Sequence, residues 1–97
     1  MEEKKYILIE SDRTGFYRVK ALRSFGNVKK GDIGGYVENE NNLSHKGNAW
    51  VSDNAEVSGN ANVYDNAKVY DDAWVHGNAK VYGNAEVSGN AKVYCNA

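Results

Sequence analysis

Two histidines and one cysteine carry the side chains best suited to proton transfer or metal binding: His45, His76 and Cys95. Zinc sites in proteins gather three or four ligands, whereas each of these residues stands alone in its stretch of sequence. We therefore expect no metal, no cofactor and no catalytic residue. A lone cysteine also excludes a disulfide bond within the chain.

A pair of glycines, Gly34 and Gly35, stands in the segment KKGDIGGYV. Glycine-rich loops can cradle phosphate groups, but this segment lacks the G-x-x-x-x-G-K-[ST] spacing of such a loop, and no helical pattern follows it. The sequence therefore predicts a tight turn at the pair.

Basic side chains alternate with aromatic ones near the amino end, as in proteins that bind RNA or single-stranded DNA. The basic candidates for an interaction surface are Arg18, Lys20 and Arg23. The chain as a whole has 12 basic and 13 acidic residues and a net charge of −1. This balance disfavours both a general DNA binder and an acidic DNA mimic, so nucleic acid is a minority expectation.

The chain lacks the marks of a membrane or secreted protein. No apolar run approaches the roughly 18 residues of a membrane span. The apolar stretch at residues 6–9 is too short for a signal peptide. We expect one small cytoplasmic domain with no membrane partner.

A six-residue repeat fills the sequence from Gly47 onward: GNAWVS, DNAEVS, GNANVY, DNAKVY, DDAWVH, GNAKVY, GNAEVS, GNAKVY and CNA. Each Ala-x-Val is a short strand that turns Ala and Val to the same face. The preceding Gly/Asp-Asn pair is a turn, because Gly and Asn tolerate φ > 0 best. The pattern predicts an all-β chain that coils as a single-stranded parallel β-helix, with a lumen packed by Val and Ala.

The repeat frame extends back to residue 41, with Leu43 in the Ala position and His45 in the Val position. We therefore predict a β-helix over residues 41–97 and a cap with a transition segment over residues 1–40, together forming one domain. The cap is a β-hairpin with strands at residues 6–9 and 16–25, which covers the open end of the first coil.

The array resembles the hexapeptide repeat of left-handed parallel β-helix proteins, in which an aliphatic residue recurs every sixth position and a small residue follows four places later. The resemblance implies a left-handed helix with three hexads per coil, so that residues 18 apart stack. Stacked turn residues would form three hydrogen-bonded ladders. The ladders are Asn48, Asn66 and Asn84; Asn54, Asp72 and Asn90; and Asn60, Asn78 and Asn96.

The same stacking places aromatic rings on the outside of the helix, where they either bind a partner or only cover the β surface. Tyr64 would stack on Tyr82, His76 would lie beside Tyr94, and Lys92 would lie over Trp74. Exposed Trp and Tyr side chains are typical of protein interfaces. The aromatic candidates for an interaction surface are Trp50, Trp74, Tyr64, Tyr82, Tyr70, His76 and Tyr94. Related β-helices associate side by side, so the resemblance implies a dimer or trimer.

Residues 21–97, which begin with ALRSFGNVKKGDIGGYV, also resemble small phage and prophage proteins in which such a leader precedes a repeat array of variable length. The resemblance implies a non-enzymatic module in the host cytoplasm that binds and blocks a host macromolecule, such as a CRISPR or other defence effector. Two alternatives stay open. One is an acyltransferase-like enzyme of the hexapeptide class, and the other is a structural β-helix that assembles through its open end.

Overall fold

The computed structural model describes residues 4–95. Its strands are β1 (Tyr6–Glu10), β2 (Tyr17–Ala21), β3 (Ile33–Val37), β4 (Trp50–Val51), β5 (Glu56–Val57), β6 (Asn62–Val63), β7 (Lys68–Val69), β8 (Trp74–Gly77), β9 (Lys80–Val81), β10 (Glu86–Val87) and β11 (Lys92–Cys95). A 3-10 turn spans Glu40–Asn42. The described part of the chain contains no helix long and apolar enough to cross a bilayer.

From β3 onward the chain winds around three faces, and strands on one face pair in parallel. The first face consists of β3, β5, β8 and β11, the second of β6 and β9, and the third of β4, β7 and β10. The prediction of an all-β coiled chain is confirmed, since these strands form a β-solenoid of about three turns.

The repeat period explains both the register and the core of the solenoid. Val51 lies opposite Val69 and Val69 opposite Val87, a spacing of 18 residues in each pair. The Val side chains of β4 to β8 are fully buried, and the Ala side chain two residues before each is equally enclosed. The lumen is therefore a packed Val and Ala core, as the alternation of Ala-x-Val predicts.

The first coil is longer than the others, which corrects the predicted frame around residue 43. Leu43 lies opposite Val63, a spacing of 20 residues. Leu43 is buried and takes the Val position, so the assignment of His45 to the lumen is wrong. Val51 lies opposite Val69, which restores the spacing of 18. The two extra residues therefore lie between Leu43 and Val51. Parallel pairing also starts at β3, before the boundary predicted at residue 41.

Gly34 and Gly35 do not form the predicted tight turn, because they lie in the middle of strand β3 and are buried. A Cβ atom on Gly35 would lie 2.7 Å from Val51 Cγ1 and 2.8 Å from the Ala55 carbonyl oxygen. Gly35 thus takes the small-residue position of the first coil, where even Ala would be too large.

The turn geometry departs from the prediction at the first position of the hexad. Asp53, Asp65 and Asp71 adopt φ of 58°, 60° and 62°, whereas none of the described Asn residues has positive φ. Each of these Asp carboxylates accepts an N–H from the turn of the next coil, at 3.1 to 3.2 Å. The Asp side chain thus offsets the cost of the left-handed conformation with a hydrogen bond between coils.

The predicted amide ladders form only in part. Within residues 4–95, Asn60 Nδ2 donates to Asn78 Oδ1 at 3.3 Å, and this is the one amide pair of the three columns found bonded. Asn96, the third member of that column, lies outside the described residues. Hydrogen bonds between backbone groups of neighbouring coils carry most of the stacking instead.

Strands β1 and β2 form an antiparallel pair in which Tyr6 lies opposite Ala21. Strand β2 also pairs antiparallel with β3, so the pair extends the first-face sheet. Tyr6 and Val19 are fully buried against the first coil. Two strands therefore lie where the sequence predicts them, but β2 ends at Ala21 and not at residue 25.

Candidate binding surfaces

An aromatic cluster lies on the outside of the first face. The ring of His76 lies 4.4 Å from that of Trp74 and 5.1 Å from that of Tyr94, and Lys92 Nζ lies 5.7 Å from the Trp74 ring. Trp74 is 38% exposed and Tyr94 is 60% exposed. We call Trp74, His76, Lys92 and Tyr94 the first-face cluster. The predicted contacts of His76 with Tyr94 and of Lys92 with Trp74 are present, and the contact of Trp74 with His76 is an addition to them.

A second aromatic stack lies on the second face. The rings of Tyr64 and Tyr82 are 5.3 Å apart and nearly parallel, as predicted for residues 18 apart. Tyr64 is half-buried whereas Tyr82 is 57% exposed. The register places Lys80 opposite Asn62 on the same face. This face therefore presents one exposed ring beside a lysine.

Trp50 does not belong to an exposed surface, which corrects its prediction as an interface residue. It is 6% exposed and packs edge-on against Phe25, with ring centroids 5.3 Å apart, and against Tyr6 at 6.5 Å. The middle position of Ala-x-Val faces outward, but in the first coil the amino-terminal segment folds over it. Trp50 is thus a core residue that joins this segment to the solenoid.

The three basic candidates do not form one surface. The Arg18 guanidinium donates to the Gly34 carbonyl oxygen and the Tyr36 hydroxyl, each at 3.0 Å, and lies 4.6 Å from the Tyr36 ring. Lys20 and Arg23 are exposed. Arg18 therefore links β2 to β3 of the first face. Lys20 and Arg23 are solvated charges.

The histidines differ in their surroundings. His45 stacks on Tyr6 at 4.1 Å, its Nδ1 accepts the backbone N–H of Lys5, and its Nε2 lies 2.7 Å from a Glu40 carboxylate oxygen. This contact lowers the pKa of Glu40. His76 belongs to the first-face cluster. Across the described residues no three His, Cys, Asp or Glu side chains group as metal ligands.

A groove that the sequence does not reveal runs along the third face. It has a volume of about 620 Å³ and lies between the loop at residues 26–33 and strands β4, β7 and β10. Its floor and walls include Asn48, Asn66, Asn84, Lys68, Glu86 and Tyr70. The Tyr70 hydroxyl donates to Glu86 at 2.8 Å, and this hydrogen bond raises the pKa of Tyr70. The glycines at 26 and 31 could have indicated the loop that forms one side of the groove, but the position of that loop over the third face depends on tertiary packing.

Lys5 is buried beneath the extra residues of the first coil. Its Nζ donates to the carbonyl oxygens of Ala49 at 2.6 Å and Gly47 at 3.4 Å. Burial lowers the pKa of Lys5 to about 8, and the nearby Arg23 charge adds to the effect. Burial also raises the pKa of Tyr6 above its ordinary value.

We expect the free energy of unfolding to increase by about 1 to 2 kcal/mol between about pH 7.5 and about pH 9.5. The unfolded chain holds the Lys5 proton up to a pKa of 10.5, whereas the folded chain releases it near 8. The unfolded state thus binds more protons in this window, and stability rises with pH. Above about pH 10 the raised pKa of Tyr6 reverses the trend. Urea unfolding at the two pH values measures the change, and an equal increase in Lys5→Met would contradict its assignment to Lys5.

One family model matches part of the chain. Residues 61–77, which cover β6, β7 and β8, match the family described as YdcK Beta solenoid repeat. No curated protein matches the chain. The partial match agrees with the parallel register of these strands, and together they define a β-solenoid protein.

Proposed function

We propose that this chain is a non-enzymatic binding module of phage or prophage type, whose first-face cluster holds a protein partner. The observation that carries the proposal is the exposure of Trp74 and Tyr94 on one face, each with its ring against that of His76. Trp and Tyr dominate the binding energy of protein interfaces, where they lie at the centre with a polar rim around them.

The surroundings of the first-face cluster supply such a rim. Lys92 lies over Trp74, and Glu56 lies opposite Trp74 in the preceding coil, where it forms an ion pair with Arg13. The cluster rings already stack on one another, so a partner would immobilise few free rotamers on binding. This preorganisation lowers the entropic cost of association.

Contacts of both histidines favour a non-enzymatic role over acyl transfer. Both ring nitrogens of His45 are engaged, one by the backbone of Lys5 and one by Glu40. The ring of His76 lies between Trp74 and Tyr94. Neither arrangement leaves a histidine poised as a general base in a cleft.

The scaffold in this proposal is a left-handed hexapeptide β-helix whose β1–β2 pair caps the first coil. Support comes from the six-residue spacing of Val, from the 18-residue register and from the burial of Tyr6 and Val19 over the first coil. Covering the open edge of a coil prevents its pairing with other chains. The module would act in the host cytoplasm.

The partner we propose is a host factor, such as a CRISPR or other defence effector. Support comes from the resemblance of residues 21–97 to small phage proteins, whose leader contains IGGYV, the sequence of strand β3 in this chain. A second copy of the chain is the other partner we propose, as a dimer or trimer, since an exposed aromatic face also suits side-by-side association.

We expect Trp74→Ala to weaken partner binding about 30-fold, because truncation of a central Trp typically costs 2 kcal/mol or more. Affinity capture from host lysate with the tagged chain identifies the partner, and titration of that partner gives the dissociation constant. Tyr82→Ala tests whether the contact extends to the second face.

Tyr17→Ala is the matched control, since Tyr17 is a 45% exposed aromatic on β2 outside the first-face cluster. Equal losses for Trp74→Ala and Tyr17→Ala would contradict the assignment of the surface. Sedimentation equilibrium separates the two partner classes, because self-association through the cluster would give a mass that falls to the monomer value in Trp74→Ala.

A further inference from the structure

We infer that the third-face groove binds a neutral oligosaccharide. This inference is independent of the first-face cluster, which lies on another side of the solenoid. The groove volume of about 620 Å³ falls within the roughly 300 to 1,000 Å³ of ordinary ligand sites. The backbone groups, side chains and charge of the groove indicate the class of ligand.

Strands β4 and β7 on the floor of the groove are already paired through their backbone groups. The N–H of Trp50 donates to the Ala67 carbonyl oxygen at 3.1 Å, and that of Lys68 to Ala85 at 3.0 Å. These bonds join neighbouring coils, so an extended peptide could not insert between β4 and β7. Recognition therefore depends on the side chains of the floor and walls.

The side chains of the groove are mainly uncharged hydrogen-bonding groups. Asn48, Asn66 and Asn84 recur once per coil along one wall, so the outer two are about 10 Å apart. Within residues 4–95 these three amides make no side-chain hydrogen bond to the protein, which leaves their donors and acceptors for a ligand. A row of amides of this length matches the hydroxyl groups of two or three sugar rings.

Charge in the groove disfavours an anionic ligand. Lys68 is the one cation among the described lining residues, whereas Asp32, Asp53 and Glu86 are acidic. Each carboxylate already accepts a hydrogen bond within the protein, at 2.9 Å for Asp32, 3.2 Å for Asp53 and 2.8 Å for Glu86. Phosphates and nucleotides would meet net negative charge, and the engaged carboxylates are poorly suited to a metal ion.

Apolar surface completes the match to a sugar. Val28 and Ile33 line the loop side of the groove, and Ile33 is 46% exposed. Trp50 also lines the groove, with 6% of its surface exposed. Within the described residues its Nε1–H has no hydrogen-bond partner. C–H faces of sugar rings can pack on these side chains while the indole N–H donates to a hydroxyl.

The two indole N–H signals of the chain provide a direct test, because Trp50 and Trp74 are its only tryptophans. ¹⁵N-labelled protein is titrated with maltotriose, cellotriose and chitotriose at millimolar concentration. We expect at least one trisaccharide to shift the Trp50 Nε1–H signal and to leave that of Trp74 unchanged. Absence of a Trp50 shift with all three sugars, or equal shifts of both signals, would overturn the inference.

Matched variants locate the contact. Asn66→Ala and Lys68→Ala should each weaken binding of the active trisaccharide about tenfold, as expected for loss of one hydrogen bond to a ligand. Asn54→Ala and Lys80→Ala change the equivalent repeat positions outside the groove and should leave the dissociation constant within about twofold. Equal effects of the two pairs would contradict the site.

Two further probes separate the ligand classes. Trigalacturonic acid should bind at least tenfold more weakly than the neutral sugar, because the groove carries excess negative charge. A neutral Gly-Ser peptide should not shift the Trp50 signal. Tighter binding of the acid, or a shift caused by the peptide alone, would overturn the assignment to neutral oligosaccharides.

Discussion

Gly34→Ala should lower the free energy of unfolding by about 3 kcal/mol, at the upper end for an overpacked core. A Cβ atom at this position would lie 2.6 Å from Val19 Cγ2 and 2.8 Å from Trp50 Cζ2, and closer still to the Val51 carbonyl oxygen. Because that oxygen is backbone, relief requires β3 to move away from β4. Thermal unfolding should show the melting temperature falling by roughly 12 to 24 °C.

Gly83→Ala separates the steric effect from backbone strain. Gly83 has φ of 66°, and a Cβ atom there would meet no neighbour within 4 Å. We expect a cost of about 1 to 2 kcal/mol from the left-handed conformation alone. A larger loss for Gly83→Ala than for Gly34→Ala would show that the close approach of β3 and β4 is not the limiting contact.

Tyr6→Ala should lower the free energy of unfolding by about 3 to 5 kcal/mol, the usual cost of removing a fully buried aromatic ring. The Tyr6 ring stacks on His45, and its hydroxyl donates to the Leu43 carbonyl oxygen at 2.5 Å. The substitution therefore removes packing and a hydrogen bond at the joint between β1 and the long first coil. Urea unfolding followed by circular dichroism measures the loss.

Tyr6→Phe isolates the hydroxyl group, and its expected cost is about 1 to 2 kcal/mol because the Leu43 carbonyl loses its donor. Tyr17→Ala, on the exposed side of β2, should change stability by no more than about 0.5 kcal/mol. If Tyr6→Ala were as mild as Tyr17→Ala, the amino-terminal strands would not contribute to the stability of the solenoid.

Both of these substitutions act on the same region, the contact between the amino-terminal strands and the first coil. Lys5 and Trp50 belong to it as well, the first through carbonyl oxygens of the long coil and the second through Phe25. The same packing creates the loop side of the third-face groove. Loss of this contact should therefore affect stability and the groove together, while the first-face cluster on later coils keeps its geometry.

The hexad pattern by itself determined the solenoid, its Val and Ala lumen and the outer stacks. The pair Tyr64 and Tyr82 and the pair His76 and Tyr94 follow directly from a fixed spacing, since each coil repeats the last. Local alternation sets which side chains point inward, and a strict period sets which residues stack. Both kinds of information are contained in short stretches of sequence.

Only the tertiary structure determined which residues of the first coil are buried and which form strands. The outward position of Trp50 became core because Phe25 and Tyr6 fold over it, and Gly34 and Gly35 became strand residues because β3 lies against β4. The hydrogen bond from Lys5 to Ala49 joins positions 44 residues apart. The local sequence pattern does not predict which residues a distant, non-repeating segment will bury. The contacts that stabilise this burial form only after the chain has coiled.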